Sequence, residues 1–130
     1  MISSLAGKVQ KKNGAESSPE KIMIKVKNDL NETVMISADN ILFIEKQKKI
    51  SLVYTGTEIG KTHITLQEFE DKLGKSFLRV HNSFIVNLDK ISKIREVSRR
   101  SYEIDFDGYD KVALMSRYKF EEYKHRFTPL

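Results

Sequence analysis

The run Phe77-Leu78-Arg79-Val80-His81-Asn82-Ser83-Phe84-Ile85-Val86-Asn87-Leu88-Asp89-Lys90-Ile91 constrains the fold more than any other stretch of the chain. Two apolar runs flank the polar triplet His81-Asn82-Ser83. Leu78 and Val80 fall on one side of an extended strand, and Phe84 and Val86 repeat that period of two beyond the triplet. The pattern predicts a strand, a tight polar corner and a second strand, with Asn87 and Asp89 supplying turn chemistry at the far end. On residue type alone, His81 and Ser83 satisfy local backbone groups at the corner.

The same period recurs upstream. Ile22, Ile24 and Val26 alternate with Met23, Lys25 and Lys27 before Asn28-Asp29-Leu30-Asn31 breaks the run as a turn. Residues 34–36, 41–45, 50–54 and 61–64 read as further short strands, divided by Asp39-Asn40, by residues 46–49 and by residues 56–60. Five short strands before any helix predict antiparallel sheet and not an alternating parallel one. Residues 65–73 are the clearest helix: Thr65 and Glu68 form a capping box, Leu66, Phe69 and Leu73 share a face, and Gly74 closes the end. Strands over 91–97, 102–106 and 111–114 follow, with Asp107-Gly108 as a hairpin turn. A last helix is predicted over 118–127 behind Ser116 as N-cap, with Phe120, Tyr123 and Phe127 on one face. The expected fold is mainly β, about ten short antiparallel strands in small sheets with one or two short helices.

With 130 residues and 39% hydrophobic content, the chain suits one domain. Residues 22–130 are expected to form it. Residues 1–21 read as a short amphipathic turn followed by a linker, or as the remnant of an upstream segment, with a native start at Met1 equally open. No apolar run approaches the ~20 residues that span a bilayer, so the expected place is the cytoplasm, with no membrane partner. The absence of cysteine excludes disulfides and thiolate metal sites, and the three histidines are too scattered for a ligand cluster. Asp105-Phe106-Asp107-Gly108-Tyr109-Asp110 lacks the ligand spacing of a calcium loop. Neither a glycine-rich phosphate loop nor a nucleophile elbow occurs, so no cofactor, small-molecule substrate or enzyme activity is expected.

A formal charge of +5 favours a polyanionic partner. Lys46, Lys48 and Lys49 fall between two predicted strands, an exposed turn whose ammonium groups reach phosphates or a groove floor. Asn82 has the amide that pairs with adenine in a major groove, and Arg79 and Ser83 beside it suit phosphates. Arg117 follows Ser116 at a strand-to-helix junction, where its fork suits guanine and the helix N-terminus a phosphate; the alternative is a surface ion pair with Glu121 or Glu122. Lys90, Lys93, Arg95, Arg99 and Arg100 form a second basic group.

The run at 77–91 resembles the central signature of the LytTR family, the DNA-binding domain of LytR/AgrA-type bacterial response regulators. Residues 38–45, residues 65–70 and Met115-Ser116-Arg117 agree with it in order and spacing, so the resemblance covers about residues 22–127. It implies an elongated arrangement of small antiparallel sheets that reads DNA through loops. Base contacts are then expected from Lys48, Lys49, Asn82 and Arg117, and backbone contacts from Lys46, Arg79, Ser83, Lys90, Lys93 and Ser116. His81 is expected to hold the corner. Many members carry a basic residue where this chain has Asn82, so an amide contact is expected there. The implied function is sequence-specific binding of double-stranded DNA in transcriptional regulation, as the output domain of a two-component response regulator or as a single-domain transcription factor. Further implications are binding to direct repeats, self-association on DNA and an upstream receiver domain. Two other readings fit a basic β domain. One is a protein-interaction module that pairs through edge strands; the other is a single-strand binder that stacks bases on Tyr54, Tyr102, Phe106 or Tyr109.

Overall fold

The computed structural model describes residues 21–127. All but the last residue of the predicted 1–21 linker lies outside them. The strands are β1 (Met23–Lys27), β2 (Thr33–Ser37), β3 (Ile41–Gln47), β4 (Ile50–Thr55), β5 (Ile59–Thr62), β6 (Phe77–His81), β7 (Phe84–Asn87), β8 (Ile91–Ser98), β9 (Ser101–Phe106) and β10 (Ala113–Ser116). Helix α1 (Leu66–Leu73) follows β5, and α2 (Arg117–Tyr123) follows β10 and runs into a 3-10 turn over Lys124–Phe127. The strands pair antiparallel in two sheets, one ordered β2-β1-β5-β4-β3-β7-β6 and the other β10-β9-β8. The mainly β fold read from the sequence is the observed one.

The period of two assigns the side chains to two cores. Leu78, Val80, Phe84 and Val86 point to one face of the large sheet and pack with Tyr102, Ile104, Phe106, Ala113 and Met115 of the small one. Phe77 and Ile85 point to the other face, where Leu66, Phe69 and Leu73 of α1 cover them. Both faces of the central strands are therefore buried, which explains the unbroken apolar run Ile41-Leu42-Phe43-Ile44. A bulge between Ile41 and Phe43 turns Leu42 and Phe43 toward the first core, leaving Ile41 and Ile44 in the second. An eight-residue helix is marginal alone. Docking supports α1, since each large apolar side chain it buries contributes about 1.5–3 kcal/mol.

The local signals for α1 and α2 are met. Thr65 N donates to Glu68 Oε1 at 2.9 Å and Glu68 N donates to Thr65 Oγ1 at 3.1 Å, and the bonds from Thr65 hold the Glu68 carboxyl below its ordinary range. Lys119 N donates to Ser116 Oγ, the N-cap of α2.

Among the boundaries that differ from the sequence reading, β3 continues to Gln47, so the lysine turn is Lys48-Lys49 alone, and the helix read over 118–127 is α2 at Arg117–Tyr123 followed by a 3-10 turn. β5 lies two residues earlier than predicted because Gly60 sits inside it, pressed on β1: a Cβ there would stand 2.3 Å from Val26 Cγ2. β10 begins two residues later, because residues 107–112 form a longer connection in which Gly108 takes φ +71°. The segment 38–40, read as part of a turn, is a 3-10 helix capped by Ser37 Oγ, which accepts from Asp39 N.

A candidate nucleic-acid interface at one end of the sheets

Strand register brings several polar turns to one end of the molecule. Gln47 pairs with Ile50, which leaves Lys48 and Lys49 as the two-residue β3–β4 turn. β3 runs antiparallel to β7 with Glu45 opposite Phe84, so that turn stands beside the β6–β7 turn, Asn82-Ser83. The amide of Lys46 donates to the Ser83 carbonyl at 2.8 Å and ties the two together. In the small sheet, Ser98, Ser101 and Ser116 are level across the strands, which sets the β8–β9 turn, Arg99-Arg100, beside the start of α2. The Arg117 amide donates to the Arg100 carbonyl. Since Ser116, Tyr118 and Lys119 share a hollow with Glu70, Arg79, His81 and Asn82, all these turns meet on one surface.

The β6–β7 turn is framed by side chains of its own strand. Arg79 Nε donates to the His81 carbonyl at 3.1 Å, Nη2 donates to the Asn82 carbonyl at 2.6 Å, and Nη1 lies 3.6 Å from Glu70 Oε1. Ser83 N donates to His81 Nδ1 at 3.0 Å, which requires that nitrogen to be unprotonated. Burial, with the Arg79 charge adding to it, pushes the His81 imidazole below its ordinary pKa and favours the neutral ring this bond needs. The carboxamide of Asn82 is left exposed to solvent.

The β3–β4 turn carries a strained residue. Lys48 takes φ +56°, a conformation that costs an L-residue with a Cβ about 1 kcal/mol and that glycine or asparagine usually supplies in a two-residue hairpin. Lys46, Lys48 and Lys49 line a second hollow together with His63, Gln67 and Arg79.

Arg117 opens α2 and faces a groove shared with Glu96, Arg99 and Arg100. Its Nη1 donates to Tyr102 Oη at 3.1 Å and stands 3.8 Å from Glu96 Oε2, and its guanidinium lies 5.8 Å from the centre of the Tyr102 ring. Of the alternative partners read from the sequence, Glu122 pairs with Lys119. Glu121 bonds Lys124 and, more weakly, feels the Arg117 charge, both of which hold its carboxyl below the ordinary range.

Of the residues predicted for the site, Lys46, Lys48, Lys49, Arg79, His81, Asn82, Ser83, Ser116 and Arg117 meet at this end. Lys90 and Lys93 do not. β7 runs away from the Asn82-Ser83 turn, and Lys90 closes the 3-10 turn Leu88–Lys90 at its far end. β8 then returns over eight residues, so at ~3.3 Å per residue its two ends stand roughly 25 Å apart. Lys93 lies 3.7 Å from Asp105, which also accepts from Arg95 and is held below the ordinary carboxylate range chiefly by that bond. Sequence reasoning missed Tyr118 and Lys119 at the start of α2, and His63 and Gln67 beside the lysine turn. No motif marks them; only the pairing of distant strands brings them in. Among the described residues no three His, Cys, Asp or Glu side chains converge as a metal site, and no helix is long and apolar enough to cross a membrane.

The family model described as LytTr DNA-binding domain matches residues 31–128. The chain is 26% identical over 118 residues to the transcriptional regulatory protein NatR of Bacillus subtilis, covering 90% of this chain and 49% of that protein. It is 29% identical over 134 residues to the transcriptional regulatory protein YpdB of Escherichia coli K12 (94% and 55%). With the sensory transduction protein LytT of Bacillus anthracis it shares 31% identity over 114 residues (86% and 46%). The chain thus spans about half the length of these curated relatives. A solved LytTr DNA-binding domain from Bacillus cereus superposes with a TM-score of 0.72 at 24% identity, covering 79% of this chain and 94% of that one.

Proposed function

The chain belongs to the LytTR DNA-binding domain family, and on that premise we propose that it reads duplex DNA through the turns gathered at one end of its sheets. Lys48 and Lys49 on the β3–β4 turn, Asn82 on the β6–β7 turn and Arg117 at the start of α2 reach base edges in major grooves. An amide suits adenine and a guanidinium fork suits guanine. Lys46, Ser83 and the Ser116 N-cap meet phosphates. Arg79 and His81 position the Asn82 turn. Lys90 and Lys93, at the other end, stand outside this footprint.

The observation that carries the reading is that these exposed side chains sit on three separate turns, each fixed by backbone or side-chain hydrogen bonds to its neighbours. Pre-set donors lower the ordering cost of binding. The function is binding and not catalysis.

The names of the relatives support a regulator of transcription, and their length, about twice what this chain covers, supports a further domain. The wider reading is a cytoplasmic regulator whose upstream receiver domain brings two copies onto direct repeats. A second copy tethered next to the first raises effective concentration without any change inside this domain. Selection from a random duplex pool by gel shift, followed by anisotropy across a salt series, tests the reading. The expected result is enrichment of a short motif that binds more tightly when repeated in one orientation. Failure to enrich any motif would overturn the reading and favour a protein partner at the free edge of β2, where Met35 is exposed.

A further inference from the structure

We propose that the hollow between the β3–β4 turn and the first turn of α1 is a phosphate-binding site, filled by a backbone phosphate of bound duplex or by a free phosphorylated small molecule. This deepens the DNA-binding reading through two residues that the reading does not use, His63 and Gln67. Lys46, Lys48 and Lys49 come from the hairpin, His63 and Gln67 from the β5–α1 connection and the helix start, and Arg79 from β6.

Charge balance sets this hollow apart. Its lining contains no carboxylate, whereas Glu70 lines the hollow around Asn82 and Glu96 the groove around Arg117. Among the described residues, Lys46, Lys48 and Lys49 make no ion pair, whereas Arg79 reaches Glu70 and Lys93 reaches Asp105. Three ammonium groups within four positions repel one another until an anion enters. The floor is polar and fixed: Ser51 Oγ donates to the Ile64 carbonyl at 2.7 Å, and Gln67 gives one amide hydrogen to Asp71, keeping a second for a ligand. A tetrahedral anion with several acceptor oxygens matches donors that converge from two segments, the hairpin and the β5–α1 connection, while the Arg79 nitrogens stay on the Asn82 turn and on Glu70.

The test uses the full 130-residue chain and the variants His63→Glu and Gln67→Glu, both exposed positions outside the proposed base contacts. In one arm, the selected duplex carries single methylphosphonates, each neutralising one phosphate. The wild type is expected to lose affinity at one or two positions, and that penalty should vanish in both variants while penalties elsewhere persist; the salt slope of each variant should fall by about one unit. In the other arm, inorganic phosphate is titrated at constant ionic strength while amide resonances are followed. Shifts at Ser51, His63 and Gln67 in the wild type alone, without any methylphosphonate coupling, would identify a free phosphate compound as the ligand. Identical methylphosphonate profiles together with no phosphate-dependent shift would overturn the site and leave the DNA reading intact. Phosphate shifts in a protein that binds no duplex would remove the DNA reading and leave the site.

Discussion

Arg79 Nη2 donates to the carbonyl oxygen of Asn82 at 2.6 Å, so the residue proposed to read adenine is held by a cation three positions earlier in its own hairpin. That guanidinium also bonds the His81 carbonyl and pairs with Glu70. A side chain engaged on three sides acts on DNA through the turn it fixes. Arg79→Gln is expected to cost about 1–3 kcal/mol of folding stability and to reduce the ratio of cognate to scrambled affinity. Denaturant melts and anisotropy would check both. A uniform loss on all duplexes, with the salt slope lower by about one unit, would identify a phosphate contact instead.

Lys48→Gly separates folding from binding. Relief of the positive φ outweighs or offsets the added freedom of glycine in the unfolded chain, so stability stays level or rises by up to about 1 kcal/mol. Duplex affinity falls in the same variant. A protein that melts lower and binds as before would contradict the role given to this turn.

His81 makes stability depend on pH. Its folded pKa lies below the ordinary value of 6.5, so the unfolded chain takes up the proton first as pH falls. The contribution of the neutral ring is complete above pH 6.5 and is lost as pH drops through 6.5 toward the folded pKa. Wild type minus His81→Gln, measured by urea melts between pH 8 and 5, should shrink across that window. A difference that stays constant would remove the Ser83 N to His81 Nδ1 bond from the account.

Gly60→Ala tests the close approach of β1 and β5, neighbours in the large sheet. The new methyl group would stand 2.3 Å from Val26 Cγ2 and 2.6 Å from its Cβ, on a side chain that is buried. Overpacking of this kind costs about 1–3 kcal/mol. The denaturation midpoint should fall while the salt slope on duplex is unchanged, because no proposed contact lies on this strand.

What the sequence disclosed depended on how local the determinant was. The alternation around His81-Asn82-Ser83, the Thr65–Glu68 capping box and the Ser116 cap are set within a few residues, and each appears where the pattern put it. Gly60 read as a breaker because its reason for lying in a strand, Val26 of β1, is 34 positions away. Lys90 and Lys93 read as site residues because one lies at the end of the signature and the other follows it, yet β7 carries the chain to the opposite end before they appear. Arg117 has partners at Tyr102 and Glu96, which no helical spacing points to.

The most direct measurement is the ratio of affinities for the selected duplex and a scrambled one, at matched salt, for wild type, Asn82→Ala and Arg117→Ala. Each variant is expected to lose about 1–3 kcal/mol on the selected sequence while binding the scrambled duplex nearly as before. Equal losses on both duplexes, or none on either, would contradict base reading by these two turns.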